Sequence, residues 1–435
     1  MGGHPVEAKK RFSIQCVDHR ALQIELFLRA RSVGALAVAS ALLLTCLSAQ
    51  SASAQTFKTL YTFCQESGCK DGKLPKGGVA INAAGNLYGT TGAGGASGDG
   101  VIFTISSKDK FSVLHSFTGT KTDGSGPTNV SPVFDKAGDV YGVTAYGGAG
   151  TCKTSTTTGC GTVFKITSAG KESVFHSFTG SPDDGYGPDG GLVIDAAGDL
   201  YGTTLAGGIA NSACSGGAGC GTVFKITSAG KESVVYRFCS KADCADGAAP
   251  QGGLRVDTEG NLYGTTSGGG THSHGTVFKL TATGVETVLY DLCAKSKCTD
   301  GETPFGGLAL DTKGNLYGTT GAGGSAGYGT LFTITTSGKN FSILHSFAGP
   351  PADGAEPVGR IAIDSSGNVF GTTLAGGASV EYGTVFEYNK GSGEKLLHSF
   401  DGSDGSQPYG TILDVKGVLY GTTSAAIGTV FQVTP

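Results

Sequence analysis

The sequence predicts an all-β fold, a seven-bladed β-propeller of four-stranded blades whose last blade is closed by the N-terminal strand. Three observations predict it. A Leu-Tyr-Gly-Thr-Thr-like phrase recurs seven times, anchored by Tyr88, Tyr141, Tyr201, Tyr263, Tyr317, Phe370 and Tyr420 at intervals of 50 to 62 residues. Each is followed by a Gly-Thr-Val-Phe-like phrase, giving four short strand-like phrases per unit, the period of a propeller blade and not of a helical solenoid. Finally, residues 57–63 read as a lone fourth strand, while residues 428–435 read as a third strand with no fourth after it. Pairing these two would remove the exposed edges of an open array.

Residues 1–54 read as a signal peptide and leader. Arg29 and Arg31 precede the uncharged run from Val33 to Leu47, and Ala52-Ser53-Ala54 supplies a small-x-small cleavage signal before Gln55. A run of 15 residues is short of the roughly 20 that a bilayer span needs. Residues 55–435 are therefore expected as one seven-repeat propeller, free of the membrane, secreted or in the cell envelope. That part carries 25 basic and 32 acidic residues, a formal charge of −7, which argues against a nucleic-acid partner. A monomer is expected.

Within each unit the first strand, such as Gly191-Leu-Val-Ile-Asp195, alternates apolar positions and ends at an acidic turn residue. Its counterparts begin near Val79, Val133, Leu254, Leu308, Ile361 and Ile412. Asp135, Asp195, Asp257, Asp311, Asp364 and Asp414 are expected to cap the tight turn that follows. Glycine in the second strand, as at Gly202, is expected where neighbouring sheets crowd toward the axis. After the Gly-Thr-Val-Phe strand, a second tight turn at 168–171 leads to a fourth strand ending Val174-Phe-His-Ser-Phe178. His115, His176, His345 and His398 share one place there with Tyr61, Tyr236 and Tyr290 and are expected to pack. Ten cysteines fall in five close pairs, Cys64/Cys69, Cys152/Cys160, Cys214/Cys220, Cys239/Cys244 and Cys293/Cys298, which in an exported chain read as disulfides and not as a metal site.

The recurrent Tyr-Gly-Thr-Thr, Gly-Gly and Gly-Thr-Val-Phe elements resemble the GloVer-type tandem repeat of secreted, choice-of-anchor bacterial proteins, over residues 56–435. Departures occur at Val101-Ile102, Val143, Phe370 and the loop 424–427. The resemblance brings no activity that transfers residue by residue.

Both tight turns fall on one face of such a ring, and the longer, more variable connections fall on the other, where binding is expected. Asp-Gly-x-x-Pro recurs there at Asp71, Asp123, Asp184, Asp246, Asp300, Asp353 and Asp404. It reads first as turn chemistry, and more sharply as a ring of carboxylates at the channel mouth that attracts a cation or a hydroxyl-rich ligand. The residue before each Gly-Thr-Val-Phe varies from Asp99 through His274 to Ile427. Candidate ligand contacts are Tyr146, Tyr186, His272, His274, Tyr328, Tyr382 and Arg360, with aromatics for stacking on sugars and polar groups for orientation. Nucleophile elbows, phosphate loops and zinc-protease helices are absent from the sequence, and neither cofactor nor metal is expected. The expected function is a binding or surface-interaction module for a saccharide or cell-surface ligand. The alternative is an extracellular hydrolase or lyase acting on polysaccharide at the loop face.

Overall fold

The computed structural model describes residues 55–127, 131–153, 157–180, 184–209, 214, 218–410, 412–425 and 427–435; the leader expected at 1–54 lies outside them. Seven four-stranded antiparallel sheets follow one another, and the described residues contain no α-helix, only the 3-10 turns Ala242–Cys244 and Ser296–Cys298. Six blades take their strands in chain order, as the fourth does with Arg255–Val256, Leu262–Thr266, Thr276–Leu280 and Glu286–Asp291. The seventh joins Leu413–Val415, Val418–Thr423 and Thr429–Thr434 to the N-terminal strand Thr56–Thr62. In that pair Thr56 opposes Thr434 and Thr62 opposes Thr429, so the complementary ends close the ring.

The second-strand glycine opposes the third-strand phenylalanine of its own sheet, as Gly264 opposes Phe278. A Cβ at Gly89, Gly142, Gly202, Gly264, Gly318, Gly371 or Gly421 would sit within 2.6 Å of that phenylalanine's ring. The crowding expected at Gly202 is therefore real, but it comes from Phe224 within the blade and not from sheets converging on the axis. The ring so seated packs against the phenylalanine that ends the preceding blade. The pairs Phe63–Phe103, Phe117–Phe164, Phe178–Phe224, Phe238–Phe278, Phe347–Phe386 and Phe400–Phe431 have centroids 5.0 to 5.3 Å apart. Leu292 holds that place at the remaining boundary. The apolar clusters accordingly mix residues of two neighbouring blades, as Phe117 of the first with Phe164 of the second.

Backbone bonds reinforce each seam. The residue before each inter-blade proline takes a left-handed conformation in all seven units, including Leu74, Ala249, Thr303, Glu356 and Gln407 at φ 50 to 58°. Its N–H donates to the preceding blade, for example Thr303 to His274 O at 3.0 Å, while its carbonyl accepts from the residue that follows its own blade's second strand, from Gly321 at 3.0 Å. The first tight turns form as expected at Asp135, Asp195, Asp257, Asp311 and Asp364, each of which accepts two backbone N–H groups at 2.8 to 2.9 Å. Asp414 does not follow. It lies inside the strand Leu413–Val415 opposite Leu419, because the seventh blade turns one residue sooner, through Lys416-Gly417.

Deleting residues 56–63 exposes the Thr429–Thr434 edge, and light scattering should then report aggregation. The milder Phe63→Ala should lower the urea-unfolding free energy by roughly 3–5 kcal/mol, because a fully buried ring leaves a cavity. A soluble deletion variant with unchanged melting would contradict closure.

Candidate functional site

The Asp-Gly-x-x-Pro carboxylates are not at the channel mouth. Asp71, Asp123, Asp184, Asp246, Asp300 and Asp353 are buried beside the outer strands. Each accepts from the N–H of its own inter-blade turn, at 2.8 to 3.0 Å from Gln65, Thr118, Thr179, Ser240, Ala294 and Ala348. Fourth-strand side chains supply further donors: Tyr61, Tyr236 and Tyr290 to Asp71, Asp246 and Asp300, and His345 to Asp353 at 2.9 Å. Asp404 pairs with His398 at 2.6 Å. These carboxylates are committed to donors of their own turns and outer strands, so the turn reading of this motif takes the place of the ring reading.

The fourth-strand histidines do more than pack. His115, Asp123 and Glu172 converge, as do His176, Asp184 and Glu232, and His345, Asp353 and Glu394. In each group the glutamate comes from the fourth strand of the next blade. Burial, reinforced by the neighbouring aspartate charge, pushes Glu232 and Glu394 up to about 7. Burial alone would raise Asp184 and Asp353 too, but it is overridden, at Asp353 by hydrogen bonds from His345 and the backbone and at Asp184 by the His176 ring 3.7 Å away and backbone hydrogen bonds, and both lie below the usual carboxylate range.

The variable residue before Gly-Thr-Val-Phe covers the inter-blade turn. Asp99 accepts from the Ser125 hydroxyl, His274 Nδ1 pairs with Glu302 at 2.6 Å, and Tyr328 and Tyr382 lie against Gly349 and Gly402. Cys160 and Cys220 stand at the same place, bonded to Cys152 and Cys214. The other three bridges, Cys64–Cys69, Cys239–Cys244 and Cys293–Cys298, also form. His272 turns to Asp291 at 3.5 Å, so the two histidines face different carboxylates. Tyr328, Tyr382, His272 and His274 are thus spread over the flanks of three blades and share no cavity with Tyr146 or Arg360 among those described.

A different column forms the channel mouth, namely, among the described residues, the one just after each inter-blade proline. Asp189, Gln251, Phe305, Val358 and Tyr409 line one cavity there together with Arg360. Lys76, from the same column, stands 5.9 Å from the centre of the Tyr409 ring. Burial and the Asp189 charge raise the Tyr409 hydroxyl pKa. Asp189 also lines an adjoining cleft of about 530 Å³ with Lys76, Tyr146, Lys153, Tyr186 and Leu205. Two predicted aromatics, Tyr146 and Tyr186, therefore meet a lysine pair and a carboxylate that the sequence reading passed over. The signal was available: this column changes chemistry from repeat to repeat while the proline before it does not.

The Gloeobacter/Verrucomicrobia repeat matches residues 47–214, 150–310 and 292–435. No curated protein matches the chain. Among solved structures, the extracellular domain of a B. thetaiotaomicron protein provisionally described as a one-component system superposes with a TM-score of 0.51 at 10% identity, over 86% of this chain and 39% of that one. A chain of a nidogen–laminin complex aligns at 16% identity and a TM-score of 0.40, over 61% of this chain and 83% of that one. A protein provisionally described as a gluconolactonase aligns at 11% identity and a TM-score of 0.40, over 88% and 92%. At such identities the likeness is one of fold.

The inter-blade glutamates set a pH dependence. Their pKa is higher folded than unfolded, so ionising them weakens the fold, fully above about pH 7 and not at all below their ordinary value of 4.5. Asp184 and Asp353 have the opposite sign, adding stability that is lost as pH falls below the ordinary aspartate range. Urea midpoints should therefore rise from pH 8 to about pH 5 and drop below about pH 4. Glu232→Gln with Glu394→Gln should flatten the upper limb, and an unchanged limb would contradict the assignment.

Proposed function

The chain belongs to the Gloeobacter/Verrucomicrobia repeat family, and from that premise we propose that it is an exported binding module that takes a saccharide at the loop face. The observation that carries this reading is the cleft between the second and third blades, where the Tyr146 and Tyr186 rings stand beside Lys76, Lys153 and Asp189 and open toward the channel mouth. Sugars present both C–H faces that stack on aromatic rings and hydroxyls that need charged or amide partners, and the cleft offers both. Five disulfides support export into an oxidising compartment. Among the described residues no helix is long and apolar enough to cross a membrane.

A glycan array followed by calorimetry tests the proposal. Tyr146→Ala should weaken the bound glycan by roughly tenfold, the loss of one stacked aromatic, with melting nearly unchanged, since Tyr146 is only partly buried. Absence of any glycan ligand, or binding indifferent to Tyr146→Ala, would overturn it. Release of a cleaved product would replace it with the polysaccharide hydrolase or lyase reading.

A further inference from the structure

Two arginines stand in the central channel where the other blades carry small or apolar residues. Arg255 opposes Tyr263 in the ladder, the place held by Ala80, Val133, Val193, Ala309, Ala362 and Leu413 against their own tyrosine or phenylalanine. Two positions earlier, the first five units carry Gly78, Ser131, Gly191, Gly253 and Gly307, and the sixth carries Arg360. The Arg360 guanidinium reaches across the channel, so close to Gly253 that a Cβ there would overlap it.

Both arginines line a cavity of about 370 Å³ on the tight-turn side of the channel, and its remaining walls, including Val79, Val133, Ile361 and Ile412, are apolar but for Ser131. Arg255 Nε donates to Leu308 O at 2.9 Å, and Arg360 Nη2 donates to Leu254 O at 3.3 Å. Among the described residues neither forms an ion pair with a carboxylate. Enclosure in the protein, and then the Arg255 charge, pull Arg360 down to about 9. The Ser131 hydroxyl, which lines the same space, is buried without a hydrogen-bond partner. On the loop side of Arg360, Gln251 Oε1 is likewise unpartnered, and Asp189 lies at that mouth.

A guanidinium carries five N–H donors and stays protonated, so most donors of this pair are unspent and their charges add. Two like charges set in an apolar channel cost several kcal/mol unless an opposite charge joins them. We propose that the channel is an anion site, in which Arg255 and Arg360 hold one small oxyanion from the tight-turn side with the Ser131 hydroxyl as a further donor. Planar carboxylate and tetrahedral phosphate or sulfate both suit paired guanidinium forks. Asp189 repels an anion at the loop mouth, which places the ligand on the side of Arg360 away from it. The site is reached from the face opposite the saccharide cleft and does not depend on that reading.

Calorimetry and thermal melting of the purified protein with inorganic phosphate, sulfate or galacturonate, each against sodium chloride at equal ionic strength, provide the test. At least one of the three should bind with a stoichiometry of one and raise Tm saturably; the galacturonate arm separates an organic carboxylate from an inorganic anion. Arg360→Gly and Arg255→Val, which install residues found at these places in other blades, should each weaken that binding by about tenfold or more. Arg360→Gly should also raise the Tm of the anion-free protein, because it removes an uncompensated charge. Wild-type protein with no saturable response to any of the three anions would overturn the proposal, as would binding that both variants retain in full.

Discussion

One contact recurs at every blade boundary and the rest of the ring depends on it. A third-strand phenylalanine lies over a glycine of its own sheet and, pushed outward by nothing larger than hydrogen, reaches the last aromatic or aliphatic residue of the preceding blade. Neither sheet could bury that ring alone. Because each seam needs a partner on both sides, an open array would leave one seam unfilled at each end. The N-terminal strand brings Phe63 onto Phe103 and pairs along the Thr429–Thr434 edge at once. The left-handed residue before each proline then ties the same seam through the backbone, with its N–H to one blade and its carbonyl to the next.

This division of labour explains why the residues that repeat most faithfully are the least available to a ligand. Each buried aspartate of Asp-Gly-x-x-Pro closes its turn and anchors the outer strand, using its lone pairs on the protein. The proline carries the chain inward, and the next residue emerges at the channel mouth with no structural duty in common among repeats, so Lys76, Asp189, Gln251, Phe305, Val358 and Tyr409 are free to differ. Chemistry concentrates where the repeat is silent, at that column on the loop face and at Arg255 and Arg360 within the channel.

Much of the fold was legible in the sequence because propeller strands are short, local and in register with a fifty-residue period. Blade number, strand order and ring closure follow from it, and the five cysteine pairs follow from their close spacing. The failures have local causes. Asp414 aligns with the turn aspartates by counting back from Tyr420, yet the seventh turn is one residue shorter and moves it into the ladder. The site was less legible, since residues that meet across a central channel come from blades far apart in sequence, and no local motif records that approach. Arg360 stood out in the sequence only as a polar candidate contact, although it occupies a column held mostly by glycine. Arg255 did not stand out, although a charge in a column of alanine and valine is the same kind of signal.

The seam, and not the individual sheet, holds the ring, and the glycine beneath the phenylalanine is the place to measure it. Urea unfolding of Gly264→Ala should be compared with that of Gly268→Ala, where a Cβ meets nothing nearer than the Ala248 carbonyl at 3.7 Å. Gly264→Ala should cost about 2 kcal/mol or more by displacing Phe278, and Phe278→Leu in the same chain should recover part of the loss, while Gly268→Ala should stay within about 0.5 kcal/mol of wild type. Equal stability of the two alanine variants, or no recovery with leucine, would contradict that role of the seam.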